Sequence, residues 1–250
     1  KTNHLTGNLS DSFSKLNTVF LQLIVMIMSF APLGVFCLIG KFVIADGLDI
    51  FQDVVAYVVL LISLLLFHAA FTYSFFLKVI GGLNPLTFFR KMKDVALFAF
   101  STSSSAATIP VTLRTANQDL GVNQNVASFV VPVGATINMD GTAIMQGLAT
   151  VFIAQMSGID LTLFQYVQVV LLAVATSIGT AAVPSAGTIT LIIILQQFNL
   201  PLEAIGIILA VDRVLDMIRT SVNVTGDAAI ACIVAKTENQ LDENIFNSKG

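Results

Sequence analysis

Residues Asp212–Asp227 read DRVLDMIRTSVNVTGD and lie between two apolar segments, IGIILAV before them and AAIACIVA after them. Polar side chains recur in this stretch at i, i+4, i+7, i+8, i+11 and i+15, namely at Asp212, Asp216, Arg219, Thr220, Asn223 and Asp227. At about 100° per residue they share a stripe roughly 100° wide on one face of a helix. The pattern predicts a long apolar helix with one polar face.

The composition favours a membrane protein. Of the residues, 56% are hydrophobic and 11% are charged, whereas soluble domains average about 25% charged. The net charge of −3 and the lack of a basic block give no indication of a nucleic-acid partner. Cys37 and Cys232 lie in apolar runs, without the spacing of a zinc site or a disulfide framework. The sequence starts at Lys1 rather than at Met, so we expect it to be part of a longer protein.

Two segments are long enough to cross a bilayer as helices, Asn17–Ile44 and Val54–Leu77. Pro32 is predicted to kink the first of them. Residues 1–50 are predicted to form a polar N-terminal segment and this first transmembrane helix. The cationic run FFRKMK after the second span predicts a cytoplasmic loop, by the positive-inside rule. His68, inside the second span, is interpreted as a packed, hydrogen-bonded residue, with a proton relay as the alternative.

Residues 51–250 are predicted to form a transport domain. Two of its segments, 94–119 and 162–199, have short apolar arms around the small-residue tips STSSSAATIP and SIGTAAVPSAGT. Such segments are typical of re-entrant helical hairpins. A helix broken at GATINMDGT (124–155) follows the first hairpin, and the polar-striped helix (201–236) follows the second. The pattern predicts an all-α polytopic membrane protein, with transmembrane helices, two re-entrant hairpins and a broken helix in an inverted-repeat transporter core.

The polar stripe needs a partner other than lipid. A charged side chain at the centre of a membrane helix costs about 2.5–3.5 kcal/mol, so we expect Asp216 and Arg219 to face protein, ions or water. Asp212 lies nearer the helix start, where its side chain could extend toward water. An internal Asp216–Arg219 ion pair at i, i+3 is one interpretation, but it leaves Asn223 and Asp227 unexplained.

The same residue types suit an acidic amino acid together with a hard cation. A carboxylate binds an ammonium group, and a guanidinium forks onto a carboxylate. Helix N-termini and bare N–H groups at the SSSAATIP tip hold a second carboxylate. Asn138, Asp140, Asn223 and Asp227 add the oxygen ligands that hard cations prefer.

Four motifs, SSSAATIP, NMDGT, AAVPSAGT and LDMIRTSVNVTGD, occur in an order and spacing that resemble the dicarboxylate/amino-acid:cation symporters, the glutamate-transporter family. The resemblance covers essentially the whole chain and matches the C-terminal part of the family, from its fifth helix onward. It implies sodium-coupled symport of aspartate or glutamate by alternating access, with Na⁺ as the co-transported ion and no enzymatic reaction. It also implies a multi-pass protein in the lipid bilayer of the inner or plasma membrane, which forms a homotrimer through N-terminal helices that this chain lacks. By the same resemblance, residues 1–50 would be a scaffold-type transmembrane helix with a polar N-terminal segment.

The resemblance gives a role to each matching residue around the substrate. Arg219 would hold the side-chain carboxylate, Asp216 the amino group, and the backbone around Ser104 and Ser105 the α-carboxylate. The segment Val183–Gly187 would close over the substrate as the outer gate. The remaining substrate contacts would come from Thr142, Thr220 and Asn223.

The resemblance also implies three sodium sites. The first would be formed by Gly134, Asn138, Asn223 and Asp227. The second would combine Thr136 with the backbone of Ser177, Ile178 and Thr180. The third would combine Asp140 and Asn138 with a helix that the chain lacks.

One position departs from part of the family. Some prokaryotic members carry an arginine in the first tip, where this chain has Ser103. Arg213, close to Asp216 in the last helix, is interpreted as a replacement for that charge. The difference leaves open whether potassium or protons are counter-transported.

Several other functions remain open from the residues alone. Proton coupling, or a C4-dicarboxylate substrate, would use the same fold, although a C4-dicarboxylate has no ammonium group for Asp216. Re-entrant hairpins also build pores, so substrate-gated anion channel activity is a further alternative. An intramembrane serine hydrolase is not favoured, because G-x-S-x-G is absent and neither His4 nor His68 is placed as a base.

Overall fold

The computed structural model describes residues 15–16, 19, 22–23, 26, 29–30, 33–34, 36–37, 40, 44 and 50–248. The chain divides into two compact units, residues 1–48 and 49–250. In the first unit the described residues are helical apart from Phe30, which is in a turn. Most of the predicted span Asn17–Ile44, including the expected kink at Pro32, lies outside the described residues. The scaffold role of residues 1–50 therefore stays a prediction.

Residues 50–248 form helices and turns, with one isolated bridge between Val122 and Leu241. The described part of the chain is therefore all-helical, as the sequence predicts. The helices are α1 (Ile50–Phe67), α2 (Ser74–Val79), α3 (Pro85–Thr102), α4 (Ser105–Gln118), α5 (Gln124–Ile137), α6 (Asp140–Met156), α7 (Leu163–Ile178), α8 (Ala186–Gln197), α9 (Ile205–Thr237) and α10 (Glu243–Asn247).

A π-helical turn, His68–Tyr73, joins α1 to α2 without a break. The stretch Phe51–Val79 is, among the described residues, the helix that is long and apolar enough to cross a membrane. Only 17% of its most apolar window is buried inside the structure. Leu61 and Leu65 point into the core, whereas Val59 is 58% exposed. This helix therefore presents an apolar outer face as well as an apolar inner one.

The first hairpin consists of α3 and α4. Asn84 caps α3, since its side chain accepts a hydrogen bond from the backbone N–H of Leu86 at 2.9 Å, and Pro85 occupies the first turn. The arm therefore starts well before residue 94, where the sequence analysis placed it. The cationic residues that were interpreted as a loop are helical, because buried apolar residues recur beside them at Phe88, Met92, Val95 and Ala99.

The tip of the first hairpin is short. Ser103 has φ 51°, in the left-handed region, and reverses the chain directly after α3. Ser104 then caps α4, because its hydroxyl oxygen accepts a hydrogen bond from the N–H of Ala107 at 3.2 Å. Two residues thus separate the two arms.

Helices α5 and α6 form the broken helix, and the break at Asn138 and Met139 falls within the predicted GATINMDGT segment. The second hairpin follows, with α7 and α8 as its arms. Thr162 and Gln165 make a capping box at the start of α7. Residues 179–185 connect the arms, and Ser185 at the end of this connection has φ 59°.

Helix α9 is the centre of the second unit. Its length is about 50 Å at 1.5 Å per residue, and it contacts α1, α3, α4, α5, α6 and α8. Small residues bring its neighbours close: a β-carbon on Gly226 would lie 2.6 Å from the hydroxyl oxygen of Tyr73. The polar stripe of α9 is therefore surrounded by the broken helix and by both hairpins.

Candidate functional site

Three charged residues of α9 form a buried cluster. Asp212, Asp216 and Arg219 are each at most 4% exposed. Arg219 Nη2 donates to Asp216 Oδ1 at 2.5 Å, and Nη1 lies 3.5 Å from Asp212 Oδ1. The i, i+3 ion pair is therefore present, and Asp212 is buried beside it, although the sequence analysis allowed it to extend toward water. With all three groups ionised, the cluster carries a net charge of −1.

The second hairpin contacts both carboxylates of this cluster. The backbone N–H of Ser185 donates to Asp216 Oδ2 at 2.9 Å. The Thr188 hydroxyl donates to Asp212 Oδ1 at 2.7 Å. The start of α8 is thus fastened to the same groups that surround Arg219.

The tips of the two hairpins meet over the cluster. The carbonyl oxygen of Ala182 accepts a hydrogen bond from the Ser104 hydroxyl at 2.9 Å and a longer one from the N–H of Ala106 at 3.3 Å. A single backbone carbonyl of the second tip therefore links it to the N-terminus of α4.

Beneath the tips lies a cavity of about 20 Å³, which is enough for about one water molecule. Every predicted substrate residue except Ser104 lines it. Ser103 lines it too, and its buried hydroxyl has no hydrogen-bond partner among the described residues. The cavity is lined by Ser103, Ser105, Met139, Thr142, Thr180, Ala181, Ala182, Val183, Gly187, Asp216, Arg219, Thr220 and Asn223.

Asn223 connects α9 to the broken helix. Its Oδ1 accepts a hydrogen bond from the N–H of Gly141 at 2.8 Å, and its Nδ2 lies 3.4 Å from Thr142 Oγ1. A β-carbon on Gly141 would lie 2.9 Å from Arg219 Cγ and 3.0 Å from Asn223 Oδ1. Glycine therefore lets the first turn of α6 approach the polar stripe closely.

The four residues predicted for the first sodium site are brought together. Asn138 Nδ2 donates to Asp227 Oδ1 at 3.0 Å and lies 3.4 Å from the carbonyl oxygen of Asn223. A β-carbon on Gly134 would lie 2.6 Å from Asp227 Oδ1. Asp227 is 2% exposed, and no cationic side chain of the described residues forms an ion pair with it. A buried carboxylate of this kind either binds a compensating cation or takes up a proton.

Asp140 has other hydrogen-bond partners than that group. Its Oδ2 lies 3.1 Å from His68 Nε2 and 3.2 Å from the hydroxyl oxygen of Tyr73. His68 is therefore a packed and hydrogen-bonded residue, as the sequence analysis preferred. Asp140 and Asn138 have different partners, so the structure gives no direct contact between the two predicted ligands of the third site.

The second predicted sodium set is less closely assembled. Thr136 is exposed, and its hydroxyl donates to the Val133 carbonyl of its own helix at 3.0 Å. Ser177 and Thr180 are buried, whereas Ile178 is 47% exposed. Helix α5, which carries Thr136, makes only a small contact with α7. This site stays a prediction.

Sequence reasoning missed Gln146. Its fully buried side chain donates to Thr190 Oγ1 at 2.7 Å and to the Gly187 carbonyl oxygen at 3.0 Å, and its Oε1 accepts from Thr176 at 2.8 Å. It therefore ties α6 to both arms of the second hairpin. Its position one helical turn after Thr142, on the same face, is the signal that could have found it.

Arg213 does not take the place of a tip arginine. Its side chain is exposed, and no carboxylate of the described residues forms an ion pair with it. At about 100° per residue, Arg213 lies about 100° around the helix from Asp212, just outside the stripe. The guanidinium that faces both hairpin tips is that of Arg219.

Two hairpin tips above a buried charged cluster make an arrangement suited to a small charged solute. Residues 2–237 match the model of the sodium:dicarboxylate symporter family. The chain is 43% identical to excitatory amino acid transporter 2 of Homo sapiens, over 90% of this chain and 39% of that protein. It is 42% identical to an excitatory amino acid transporter of Caenorhabditis elegans and 41% identical to excitatory amino acid transporter 3 of Mus musculus, over 89% and 91% of this chain and 44% of each relative.

The chain belongs to the sodium:dicarboxylate symporter family, because the family model covers nearly its whole length. The family and the relatives are membrane transporters. The chain spans less than half the length of these relatives.

Proposed function

We propose that this chain forms the substrate-carrying part of a sodium-coupled symporter for acidic amino acids, aspartate or glutamate. The observation that carries the proposal is the buried cluster of Asp212, Asp216 and Arg219 beneath the two hairpin tips. A carboxylate and a guanidinium at this spacing match the ammonium and side-chain carboxylate of such a substrate.

The substrate would exchange partners with the cluster. Its amino group would take the place of the Arg219 guanidinium and the Ser185 N–H at Asp216. Its side-chain carboxylate would receive the freed guanidinium. Its α-carboxylate would lie at the first tip, where the hydroxyl of Ser103 has no protein partner among the described residues and the N-terminus of α4 begins.

Charge explains why cations would travel with the substrate. The cluster carries −1 when ionised, and an acidic amino acid at neutral pH also carries −1. Asp227 adds a further buried carboxylate. Placing these charges together in a site of low dielectric is costly, and bound cations would offset that cost. The carboxylate and amide oxygens around Asn138, Asn223 and Asp227 suit a hard cation such as Na⁺.

Access would depend on separation of the two tips. The cavity of about 20 Å³ holds about one water molecule, and an amino acid is several times larger. Breaking the contacts of the Ala182 carbonyl with Ser104 and Ala106 would open the site. The segment Val183–Gly187 would then act as the gate that closes over the bound substrate.

The membrane arrangement belongs to the same proposal. The two hairpins would be re-entrant, the protein would cross the plasma membrane several times, and residues 51–250 would move against a fixed scaffold that includes residues 1–50. The contacts of a homotrimer would be made by the N-terminal helices of the family, which form the rest of that scaffold. The exposed apolar face of Phe51–Val79 would lie against lipid or scaffold.

Uptake of labelled aspartate by the protein as its gene encodes it, reconstituted in liposomes, tests the proposal. We expect uptake under an inward sodium gradient and none under a pH gradient without sodium. Uptake driven by protons alone would identify the proton-coupled alternative. Transport of succinate without aspartate would identify a C4-dicarboxylate carrier, and aspartate-dependent anion current without uptake a channel.

A further inference from the structure

Thr188 lies just beyond the predicted gate segment, in the first turn of α8, and is 1% exposed. Its hydroxyl donates to Asp212 Oδ1 at 2.7 Å. This is a side-chain hydrogen bond from the second hairpin to a charged group of α9. Asp212 belongs to the charged cluster, but no direct contact with substrate or sodium was assigned above to either residue.

Asp212 has few other partners. The same Oδ1 lies 3.5 Å from Arg219 Nη1, which is a long contact, and Oδ2 is buried without a hydrogen-bond partner among the described residues. The Thr188 hydroxyl is thus the closest donor to this carboxylate. Because burying a carboxylate without hydrogen bonds is costly, the loss of any one of so few donors should destabilise it strongly.

We propose that Thr188 is a positioning residue that holds the second hairpin closed by replacing water at Asp212. The inference rests on the proposed function, in which this hairpin opens and closes. When the hairpin is open, water hydrates Asp212. Closure removes that water, and the hydroxyl of Thr188 restores one hydrogen bond. Without the hydroxyl, the closed state leaves the carboxylate with only its long contact to Arg219, whereas the open state is unaffected.

The other attachments of α8 would not compensate for this loss. The Ser185 N–H serves Asp216, which the substrate amino group would occupy. Gln146 holds Thr190 and the carbonyl oxygen of Gly187, and these contacts do not reach Asp212. Closure in the presence of substrate therefore depends more on Thr188 than closure without it.

The test compares Thr188→Val, which removes the hydroxyl at nearly constant volume, with Thr188→Ser, which keeps it. Spin labels at Ser101 and Ala181, both exposed, report the distance between the tips in the protein as its gene encodes it. We expect Thr188→Val to shift the populations toward the longer distance by about tenfold, the effect of losing a hydrogen bond to a charged group. Thr188→Ser should close like the wild type. Equal closure of Thr188→Val and the wild type would overturn the inference.

Thr112→Val is the matched control. Thr112 is buried in the first hairpin, and its hydroxyl donates to the Thr108 carbonyl oxygen of its own helix at 3.1 Å. The same chemical change there should leave the tip distance unaltered. A shift as large as that of Thr188→Val would show a general packing effect and would overturn the inference.

A double-mutant cycle separates this contact from fold stability. In Asp212→Asn, which has no charge to satisfy, the effect of Thr188→Val on closure should fall well below tenfold. An undiminished effect would contradict the role given to Asp212. If Thr188→Val does not fold, Thr188→Ala carries the same prediction.

The tip distances are also measured without ligand. A wild type whose distances do not change when aspartate and sodium are added would count against the proposed function. Identical populations in wild type and variant would count against the Thr188 contact.

Discussion

The first and second hairpins share a plan: two antiparallel helices whose tip includes a serine in the left-handed region, Ser103 in one and Ser185 in the other. Their attachments differ. In the first, Ser104 begins the second arm at once and caps it. In the second, residues 179–185 separate the arms, and Ser185 makes no side-chain cap at the start of α8. The second tip therefore has more backbone that can change conformation.

The bases of the hairpins differ as well. Lys91 in α3 donates to the Asp119 and Ile245 carbonyl oxygens at 2.8 and 2.6 Å, which binds the base of the first hairpin to α10. The Ser221 hydroxyl of α9 donates to the Ala96 carbonyl oxygen at 2.8 Å. In the second hairpin, many apolar side chains of α7 are exposed, among them Leu163, Phe164 and Leu171. We therefore expect the first hairpin to be the fixed wall of the proposed site and the tip of the second hairpin to be the moving wall.

The largest effect is expected where both tips converge, at Arg219. Arg219→Cys removes the cation that would bind the side-chain carboxylate and leaves Asp212 and Asp216 without their partner. We expect aspartate affinity to fall by about 100-fold or more, with a gain for small neutral amino acids, measured by competition binding. Arg213→Cys, an exposed arginine on the same helix, is the control and should bind aspartate normally. Retained aspartate affinity in Arg219→Cys would remove Arg219 from the site.

The second-largest effect is expected at Asp227, which lies in a part of the site that neither hairpin tip contacts. Asp227→Asn removes a buried carboxylate that has only Asn138 as a side-chain partner among the described residues. We expect the sodium concentration for half-maximal aspartate binding to rise by about tenfold or more. Asp160→Asn, an exposed aspartate, should not change it. An unchanged sodium dependence in Asp227→Asn would exclude this carboxylate as a cation ligand.

Spin labels test the difference between the hairpins directly. One label is placed at exposed Val214 on α9, and the second at either Ser101 or Ala181. Adding aspartate and sodium should shorten the Ala181–Val214 distance and leave the Ser101–Val214 distance almost constant, because the first tip is short and capped whereas the second is long. Equal movement of both tips would contradict the expectation that only the second tip moves.

Much of this fold follows from the sequence, because hydrophobic periodicity and turn residues decide its elements locally. The broken helix, the second hairpin and the long striped helix begin and end close to their predicted positions. The first arm of the first hairpin was placed too late, because the basic residues around Lys91 resemble a loop. The helix nevertheless begins at the Asn84 cap and Pro85, before these basic residues. Lys91 lies within the helix and donates a hydrogen bond to the Asp119 carbonyl oxygen.

The site was harder to predict where contacts connect distant segments. The stripe itself gave Asp216, Arg219 and Asp227, since helical spacing alone places them together. Asp212 was not given a role, because only the tertiary structure brings Thr188 to it. Gln146 was missed for the same reason, as its partners lie in the second hairpin. Spacing identifies one face of a helix, but it does not identify the element that covers that face.

The smallest effect is expected at the base of the first hairpin. Lys91→Met keeps the length of the side chain and removes a donor that connects α3 to the end of α4 and to α10. Hydrogen bonds to a charged group contribute about 1.5–3 kcal/mol when well formed, and partial exposure of Lys91 places the loss at the lower end. We expect a modest fall in thermal stability and faster hydrogen exchange at the end of α4, while aspartate affinity stays within about twofold, since the tips are far along the arms. Lys93→Met, an exposed neighbour, is the control. A large loss of aspartate affinity in Lys91→Met with normal stability would mean that the first hairpin also moves during binding. The contacts at its base, rather than those at its tip, would then limit the extent of that movement.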